Sequence, residues 1–230
     1  MAGPALSPAA FARRIDVSRE TLERLTLYLE LLRRWQRAIN LVGPATLADP
    51  WRRHMLDSAQ LLAHLPGPAS QLVDLGSGAG FPGMVLALLG VPGVTLIEAD
   101  RRKAEFLRDG ARATAADVAV RNERIERLAG WPAAVVTARA LAPLPRLLSL
   151  AERFLTPDSV CLFLKGASLT GELIDAGKCW HMVPEKFPSL SGSTGVVLKL
   201  RGVGRARDRQ PQATTARPCD RNRESERRSR

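Results

Sequence analysis

The chain has 230 residues, 45% of them apolar, which is enough for one α/β domain of moderate size with appendages. It has no run of 18 consecutive apolar residues and no basic start followed by an apolar stretch, so the sequence predicts neither a membrane span nor a secretory signal. The formal net charge of +11 favours a polyanionic partner bound through phosphate contacts, with merely solvated arginines as the alternative.

Residues 1–66 carry the pattern of helices. Ser18 is a predicted N-cap, and Trp35 widens the apolar stripe of the helix that follows. The stripe recurs at three-, four- and seven-residue spacings and consists of Leu22, Leu25, Leu29, Leu32 and Ile39. A second helix is predicted near 52–64, before a Pro-Gly-Pro sequence. We therefore expect an N-terminal helical segment that packs on the rest of the protein.

Residues 67–200 alternate short apolar runs with helical stretches. The predicted strands cover 71–75, 94–98, 118–121, 134–138 and 160–165, and the predicted helices cover 82–89, 101–115, 143–155 and 168–176. Near-continuous apolar strands joined by helices indicate a parallel sheet that is covered on both faces. Two final strands, near 181–183 and 196–200, have only a loop between them and predict a hairpin. The expected fold is an α/β sheet of seven strands, mostly parallel, with one late antiparallel strand.

Residues 201–230 are predicted to form a separate basic tail. They hold ten arginines and four acidic residues, a net charge of +6, which leaves +5 for residues 1–200. The segment has almost no large apolar residue, so it cannot bury enough surface to offset the conformational entropy of ordering. We expect it to be disordered and assign it no function.

A glycine-rich turn, VDLGSGAGFPG at 73–83, follows the first predicted strand. Glycines such as Gly76 and Gly78 allow a tight turn and a close approach of the backbone to a ligand. Pro82 fits the first turn of the next helix, where its missing N–H costs nothing. The turn and the helix bring free N–H groups to the carboxyl ends of the strands, where open α/β sheets bind ligands.

The turn is compatible with two classes of cofactor. Residues 78–83 satisfy GxGxxG, the dinucleotide fingerprint, which keeps a nicotinamide-dependent oxidoreductase open. Asp74, directly before the glycines, completes DxGxGxG and either supports the turn or reaches the methionine amine of S-adenosyl-L-methionine. Glu98 is placed either to accept hydrogen bonds from both ribose hydroxyls of an adenosine or to be an ordinary surface acid. Asp74, Glu98 and the late hairpin together favour a methyltransferase that uses S-adenosyl-L-methionine.

The loop after the third predicted strand holds candidates for binding adenine. Ile125 is placed to pack on the ring, and Glu126 or a neighbouring backbone group is placed to meet its edge. In the alternative, Ile125 is only the apolar face of a short helix.

Several short sequences resemble one family in their combination and order. RHMLDS at 53–58, the glycine turn, TARAL at 137–141 and LKG at 164–166 resemble the glucose-inhibited division protein B family of bacterial small-subunit (16S) ribosomal RNA guanine-N7 methyltransferases. The resemblance covers about residues 20–200. It implies a Rossmann-like class I methyltransferase and methylation of N7 of a guanine in the decoding-region loop of the small-subunit RNA.

The resemblance also implies roles for individual residues. Carried over one at a time, it assigns cofactor contacts to Gly76, Phe81, Ile125, Glu126 and Arg139. Arg139, at the end of the fourth predicted strand, is expected to bind the cofactor carboxylate, with a structural ion pair as the alternative. The tail at 201–230 is where the chain departs from the family, whose members stop soon after the last strand.

The implied chemistry needs no general base, because guanine N7 has a lone pair and no proton to lose. We therefore assign no catalytic residue. Methylation of a ring carbon needs a nucleophilic cysteine, but Cys219 lies in the tail and Cys161 in an apolar strand. These cysteines and Cys179 form no CxxC pair, which argues against a zinc site or a disulfide framework and suits a reducing cytoplasm. No spacing of histidines and acids predicts a metal.

The expected partner is ribosomal RNA or the small ribosomal subunit, and we expect neither a membrane nor a stable protein partner. The predicted RNA contacts are basic residues. They are Arg53, His54 and Lys165, together with Arg33, Arg34 and Arg37 on the first long helix. His54 has a structural role as its alternative. Phe81 is either a stacking platform for the unstacked guanine or a core residue. A methyltransferase acting on a small molecule or a protein, and a non-catalytic RNA-binding protein, stay open.

Overall fold

A seven-stranded sheet forms the centre of the computed structural model, which describes residues 4–67, 71–192 and 194–206. The strands are β1 (Leu72–Leu75), β2 (Val94–Ile97), β3 (Val118–Arg121), β4 (Val135–Arg139), β5 (Val160–Lys165), β6 (Trp180–Pro188) and β7 (Val196–Arg205). They lie in the order β3-β2-β1-β4-β5-β7-β6. Strands β1 to β5 pair in parallel, and β7 is antiparallel to both β5 and β6. The predicted mostly parallel sheet with a late hairpin is confirmed.

Seven α-helices precede, connect or flank these strands in the described part of the chain. They are α1 (Pro8–Ile15), α2 (Arg19–Gln36), α3 (Asp57–Ala59), α4 (Gly83–Leu88), α5 (Arg101–Thr114), α6 (Leu144–Ala151) and α7 (Leu169–Gly177). The sequence pattern gave no separate prediction of α1. The short α3 continues a π-helical turn, Trp51–Leu56, and leads into a 3-10 turn, Gln60–His64. The segment predicted as one helix near 52–64 therefore consists of a π-helical, an α-helical and a 3-10 part in succession.

Alternate residues of the central strands enter two apolar layers, because successive side chains of a strand point to opposite faces. Leu72 and Leu96 belong to the layer that also contains the buried side chains of α2, α4 and α5. Val73 and Ile97 belong to the layer that contains those of α6 and α7. The N-terminal helices therefore share one apolar layer with the sheet.

Side-chain hydrogen bonds fix both ends of α2, of which one was predicted and the other was not. The predicted N-cap is confirmed, since the Ser18 hydroxyl accepts a bond from the Thr21 N–H at 3.1 Å. Helix α2 ends at Gln36 and does not reach Ile39. The Gln36 side chain bonds the backbone of the following loop, accepting from the Leu41 N–H at 3.0 Å and so holding the chain as it turns back.

Strand β7 is twice as long as its predicted range of 196–200. Its outer partner β6 also extends beyond its predicted range, and the pairing of the two strands continues as far as Trp180 opposite Arg205. The segment predicted as a tail from residue 201 therefore begins inside a strand. The rest of that prediction, and Cys219 with it, lies outside the described residues.

Tyr28 on α2 contacts the backbone of the glycine turn. Its hydroxyl donates to the Ala79 carbonyl at 2.8 Å, and its side chain is fully buried. Two glycines make room for the ring. A Cβ on Gly80 would lie 2.4 Å from the Tyr28 Oη, and a Cβ on Gly110 would lie 2.4 Å from its Cε2. The turn is thus supported by the N-terminal helices as well as by the sheet.

Candidate functional site

A cavity of about 1000 Å³ lies beyond the carboxyl ends of the parallel strands. This volume is at the upper end of the range for small-molecule sites. The cavity is lined by ten of the residues for which the sequence predicted a cofactor or RNA contact: Gly76, Gly78, Phe81, Glu98, Ile125, Glu126, Arg139, Arg53, His54 and Lys165. The fold therefore brings the predicted residues together, and their contacts distinguish their roles.

The glycine turn presents open backbone to the cavity. Gly76 has φ +63°, and a Cβ there would lie 2.5 Å from Leu141 Cδ1, so the position needs glycine. Gly78 has φ +54°, and the nearest atom to a Cβ there would be the Gly76 carbonyl oxygen at 3.8 Å. A ligand can thus approach the backbone at Gly78 closely.

Asp74 lies beneath the turn and does not line the cavity. Its Oδ1 accepts a hydrogen bond from the Thr137 hydroxyl at 2.7 Å, and its carbonyl accepts one from the Ser77 hydroxyl at 3.0 Å. Burial raises the pKa of Asp74 to about 6, against the effect of the hydrogen bond from Thr137. Of the two roles considered for this residue, support of the turn fits the structure and contact with the methionine amine does not.

Glu98 faces the cavity from the residue after β2, one position beyond the end of the strand. Its Oε2 accepts from the Gly78 N–H at 2.8 Å, and its Oε1 accepts from the Asp100 N–H at 2.7 Å. The residue is 8% exposed, so it is not an ordinary surface acid. Each oxygen keeps a further lone pair, which leaves room to accept hydrogen bonds from a ligand.

Arg139 joins the end of β4 to the RHMLDS segment, residues 53–58. Its Nη1 donates to the Arg53 carbonyl at 3.1 Å and to His54 Nδ1 at 3.0 Å, and lies 3.6 Å from Asp57 Oδ2. Its guanidinium carbon is 4.9 Å from the centre of the Phe81 ring. Burial lowers the pKa of Arg139, and the charge of Asp57 opposes this effect. An arginine guanidinium stays protonated in proteins. The ion pair considered as the alternative role is present, and it lies at the cavity wall.

The bonds of His54 fit a single tautomer. Its Nδ1 accepts from Arg139, so the ring proton is on Nε2, which donates to the Thr46 hydroxyl at 2.8 Å. That hydroxyl in turn donates to the Gly43 carbonyl at 2.6 Å. The His54 ring is 3% exposed and stacks on Phe81, with ring centres 4.7 Å apart. The predicted RNA contact of His54 does not fit this arrangement, nor does Phe81 as a stacking platform, because each ring covers one face of the other and both residues are only 3% exposed.

We expect the buried ring of His54 to stay neutral well below its ordinary titration range. Burial, aided by the charges of Arg139 and Arg53, lowers the pKa of His54 to about 3. The unfolded chain then binds a proton that the folded chain does not, so the free energy of unfolding falls as the pH drops below about 6.5. Asp74, whose pKa is raised, acts in the opposite direction below pH 6. Ring nitrogen chemical shifts measured between pH 5 and 8 should therefore show an unchanging Nε2–H tautomer, and a midpoint above pH 5 would contradict this.

Lys165 and Arg53 differ in their availability to RNA. The Lys165 ammonium pairs with Glu172 and donates to the Ala142 carbonyl at 3.1 Å, and its side chain is only 10% exposed. The predicted phosphate contact of Lys165 therefore does not fit. Arg53 is exposed, and its guanidinium makes no hydrogen bond or ion pair with any residue that the structure describes. Among the three residues, Arg53 fits the predicted role.

The loop after β3 brings Ile125 and Glu126 to the cavity on a 3-10 turn, Ile125–Arg127. Ile125 is buried and belongs both to the cavity wall and to the apolar layer under α6, so its two predicted roles are compatible. The Glu126 carboxylate forms an ion pair with Arg146 through one of its oxygens. The other oxygen keeps its lone pairs, so the contact of Glu126 with the edge of the adenine stays a prediction.

The sequence prediction missed several residues that line the cavity. Asp57 stood in a quoted motif but received no role. Ala140 has φ +52°, a conformation that is strained for a residue with a side chain and is found at functional sites, and nothing in its residue type reveals this. The loop between β6 and β7 contributes Ser191, Gly192 and Thr194. In contrast, Arg33, Arg34 and Arg37 are exposed on or just after α2 and do not line the cavity.

Two features are absent from the residues that the structure describes. None of their helices is both long enough and apolar enough to cross a membrane. They contain no group of three or more histidines, cysteines and acids arranged to hold a metal ion.

The chain is similar to one family along most of its length. A family model described as rRNA small subunit methyltransferase G (GidB) matches residues 21–194. A Rhodospirillum rubrum protein named ribosomal RNA small subunit methyltransferase G is 54% identical over 201 residues, which cover 87% of this chain and 100% of that protein. A Paramagnetospirillum magneticum protein of the same name is 53% identical over 202 residues, which cover 88% and 98%.

Solved structures with low sequence identity share the fold. A mutant of MtNAS in complex with S-adenosylmethionine matches with a TM-score of 0.55 at 16% identity, covering 85% of this chain and 84% of that chain. The ribosomal protein L11 methylase from Lactobacillus delbrueckii subsp. bulgaricus matches with a TM-score of 0.53 at 16% identity, covering 64% and 76%. These similarities confirm the predicted Rossmann-like methyltransferase fold.

Proposed function

The chain belongs to the rRNA small subunit methyltransferase G family, and on that basis we propose that it transfers a methyl group from S-adenosyl-L-methionine to N7 of a guanine in the decoding-region loop of 16S ribosomal RNA. The observation that carries the proposal is the family match over residues 21–194, which includes the glycine turn, Glu98 and Arg139. A nicotinamide-dependent oxidoreductase and a methyltransferase for small molecules are not favoured by this match.

The residues of the cavity fit S-adenosyl-L-methionine. The open backbone at Gly78 leaves space where a Cβ would intrude, and Glu98 has free lone pairs for ribose hydroxyls. Ile125 offers an apolar surface for the adenine, and Arg139 offers a cation for the carboxylate. When bound, the cofactor supplies a methyl group on a sulfonium, which is already a strong electrophile.

The task of the protein is then to align donor and acceptor. Holding two reactants in the reactive geometry can lower a barrier by about 7–11 kcal/mol at best. Guanine N7 needs no deprotonation, so the cavity needs no general base, and the neutral, fully bonded His54 is consistent with this. Arg53 is the residue best placed to hold an RNA phosphate at the mouth of the cavity. We also propose that the enzyme acts in the cytoplasm without a stable protein partner.

The acceptor atom can be tested with ribosomal particles. Small subunits from a strain that lacks the gene should accept a labelled methyl group at one guanine, and the product should be cleaved by the reagents that open N7-methylguanine. Subunits from the parent strain, in which the site is already methylated, serve as the control and should accept none. Label at another atom, or no label from protein that binds S-adenosylhomocysteine, would defeat the proposed acceptor.

A further inference from the structure

Asp57 connects the two sides of the cavity through a single carboxylate. Its Oδ2 faces Arg139 at 3.6 Å, while its Oδ1 accepts hydrogen bonds from the Ser191 hydroxyl at 2.6 Å and the Ser189 hydroxyl at 3.2 Å. Gln60 adds a third bond to Oδ1 at 3.0 Å. The side chain is 14% exposed, so these contacts form in a largely dehydrated place where they are stronger than at the surface.

The same cluster holds the start of the β6–β7 loop, residues 189–192. The Leu190 N–H donates to Gln60 Oε1 at 2.8 Å, and the Ser191 N–H donates to the Ser189 hydroxyl at 3.0 Å. A Cβ on Gly192 would lie 3.2 Å from the Arg53 guanidinium, so this part of the loop adjoins the residue proposed to bind RNA. The Asp57 carboxylate therefore links the cofactor side, at Arg139, to the RNA side, at residues 189–192.

We propose that Asp57 is a positioning residue that fixes the distance between Arg139 and residues 189–192, and with it the alignment of the methyl donor and the guanine. The inference rests on the proposed function. Because the reaction needs no general base, its rate depends on alignment, and a misplacement of about 1 Å can cost on the order of 100-fold. Loss of the link should therefore affect turnover more than binding.

Asp57→Asn tests the proposal with little change in shape. The amide can still accept one or more of the serine bonds, but it puts an N–H group or a neutral oxygen opposite the Arg139 guanidinium. We expect kcat for RNA methylation to fall about tenfold while the Kd for S-adenosylhomocysteine changes less than about threefold. Asp49→Asn is the matched control, since Asp49 also pairs with an arginine, Arg52, at 2.8 Å but does not line the cavity. An unchanged kcat in Asp57→Asn, or an equal fall in the control, would overturn the proposal.

Amide hydrogen exchange gives a readout that does not depend on the substrate being correct. In Asp57→Asn the amides of Leu190 and Ser191 should exchange about tenfold faster than in the wild type, and in Asp49→Asn they should not. Unchanged exchange in Asp57→Asn would overturn the positioning role, whether or not methylation is observed. If the wild-type protein does not methylate RNA but exchange in Asp57→Asn is faster as expected, only the proposed function fails. Should Asp57→Asn not fold, Ser191→Ala removes one contact of the loop with Asp57, and it should lower kcat for RNA methylation several-fold. An unchanged kcat would overturn the link to the loop.

Discussion

Replacing Arg139 with methionine should lower kcat/KM for RNA methylation about a thousandfold. Methionine keeps part of the apolar stem but loses the guanidinium, which bonds the Arg53 carbonyl and His54 and faces Asp57. A charge-assisted bond to the cofactor carboxylate is worth about 1.5–3 kcal/mol, or roughly 10- to 100-fold. Misalignment of about 1 Å adds a factor on the order of 100. The two losses together give the expected size of the effect, to be measured by steady-state kinetics.

Two comparisons separate the role of Arg139 in the cavity from its role in the fold. Arg139→Lys keeps the charge but cannot reproduce the planar set of donors, so it should recover no more than about a tenth of wild-type activity. Arg52→Met removes a neighbouring ion pair, with Asp49, that lies away from the cavity, and it should cost stability with less than a twofold change in kcat/KM. Equal losses of activity in Arg52→Met and Arg139→Met, or near-normal activity in Arg139→Lys, would contradict the assignment.

The positions of the strands along the chain and of the glycine turn could be predicted because both depend on local sequence. Apolar runs of four to six residues specify β1 to β5, and a hairpin needs only a short loop between two strands. The length of β7 could not be predicted, because residues 201–205 have a polar, glycine-containing sequence and owe their strand structure to pairing with β6. Tertiary pairing there overrides local propensity.

Ten of the residues that line the cavity could be predicted, but the availability of their side chains could not. His54, Lys165 and Arg139 all carry the residue types expected of RNA or cofactor contacts, yet each has polar groups occupied by other residues of the protein. Lys165 pairs with Glu172 on α7, and His54 bonds Thr46 and Arg139. Such pairs become visible only when the fold is known, because neither spacing nor residue type reveals them.

Glu98→Gln should weaken binding of S-adenosylhomocysteine about a hundredfold. Both carboxylate oxygens accept backbone N–H bonds, from Gly78 and Asp100, and the amide of glutamine can accept at only one end. The other end places N–H against N–H, so the glycine turn loses a partner and the ribose loses an acceptor. Hydrogen bonds to a charged group are worth about 1.5–3 kcal/mol each, which makes a hundredfold loss the expected size. Titration calorimetry measures it directly.

The neighbouring acid Asp100 provides a matched control. It is exposed at the N-cap of α5, where it accepts from the Lys103 N–H at 3.1 Å, and asparagine caps a helix equally well. Asp100→Asn should therefore bind S-adenosylhomocysteine within about twofold of the wild type. A loss in this variant as large as that in Glu98→Gln would mean that net charge near the turn matters, and not the bonds of one carboxylate.

A second ligand separates support of the turn from contact with the ribose. If Glu98 accepts a bond from the 2′-hydroxyl, wild-type protein should bind S-adenosylhomocysteine about tenfold more tightly than its 2′-deoxy analogue, since one bond to a charged group is lost. In Glu98→Gln the two ligands should bind within about threefold of each other. If instead the variant discriminates as strongly as the wild type, the carboxylate acts only on Gly78 and Asp100. The preference for an adenosine ligand would then come from Ile125 and the open backbone at Gly78.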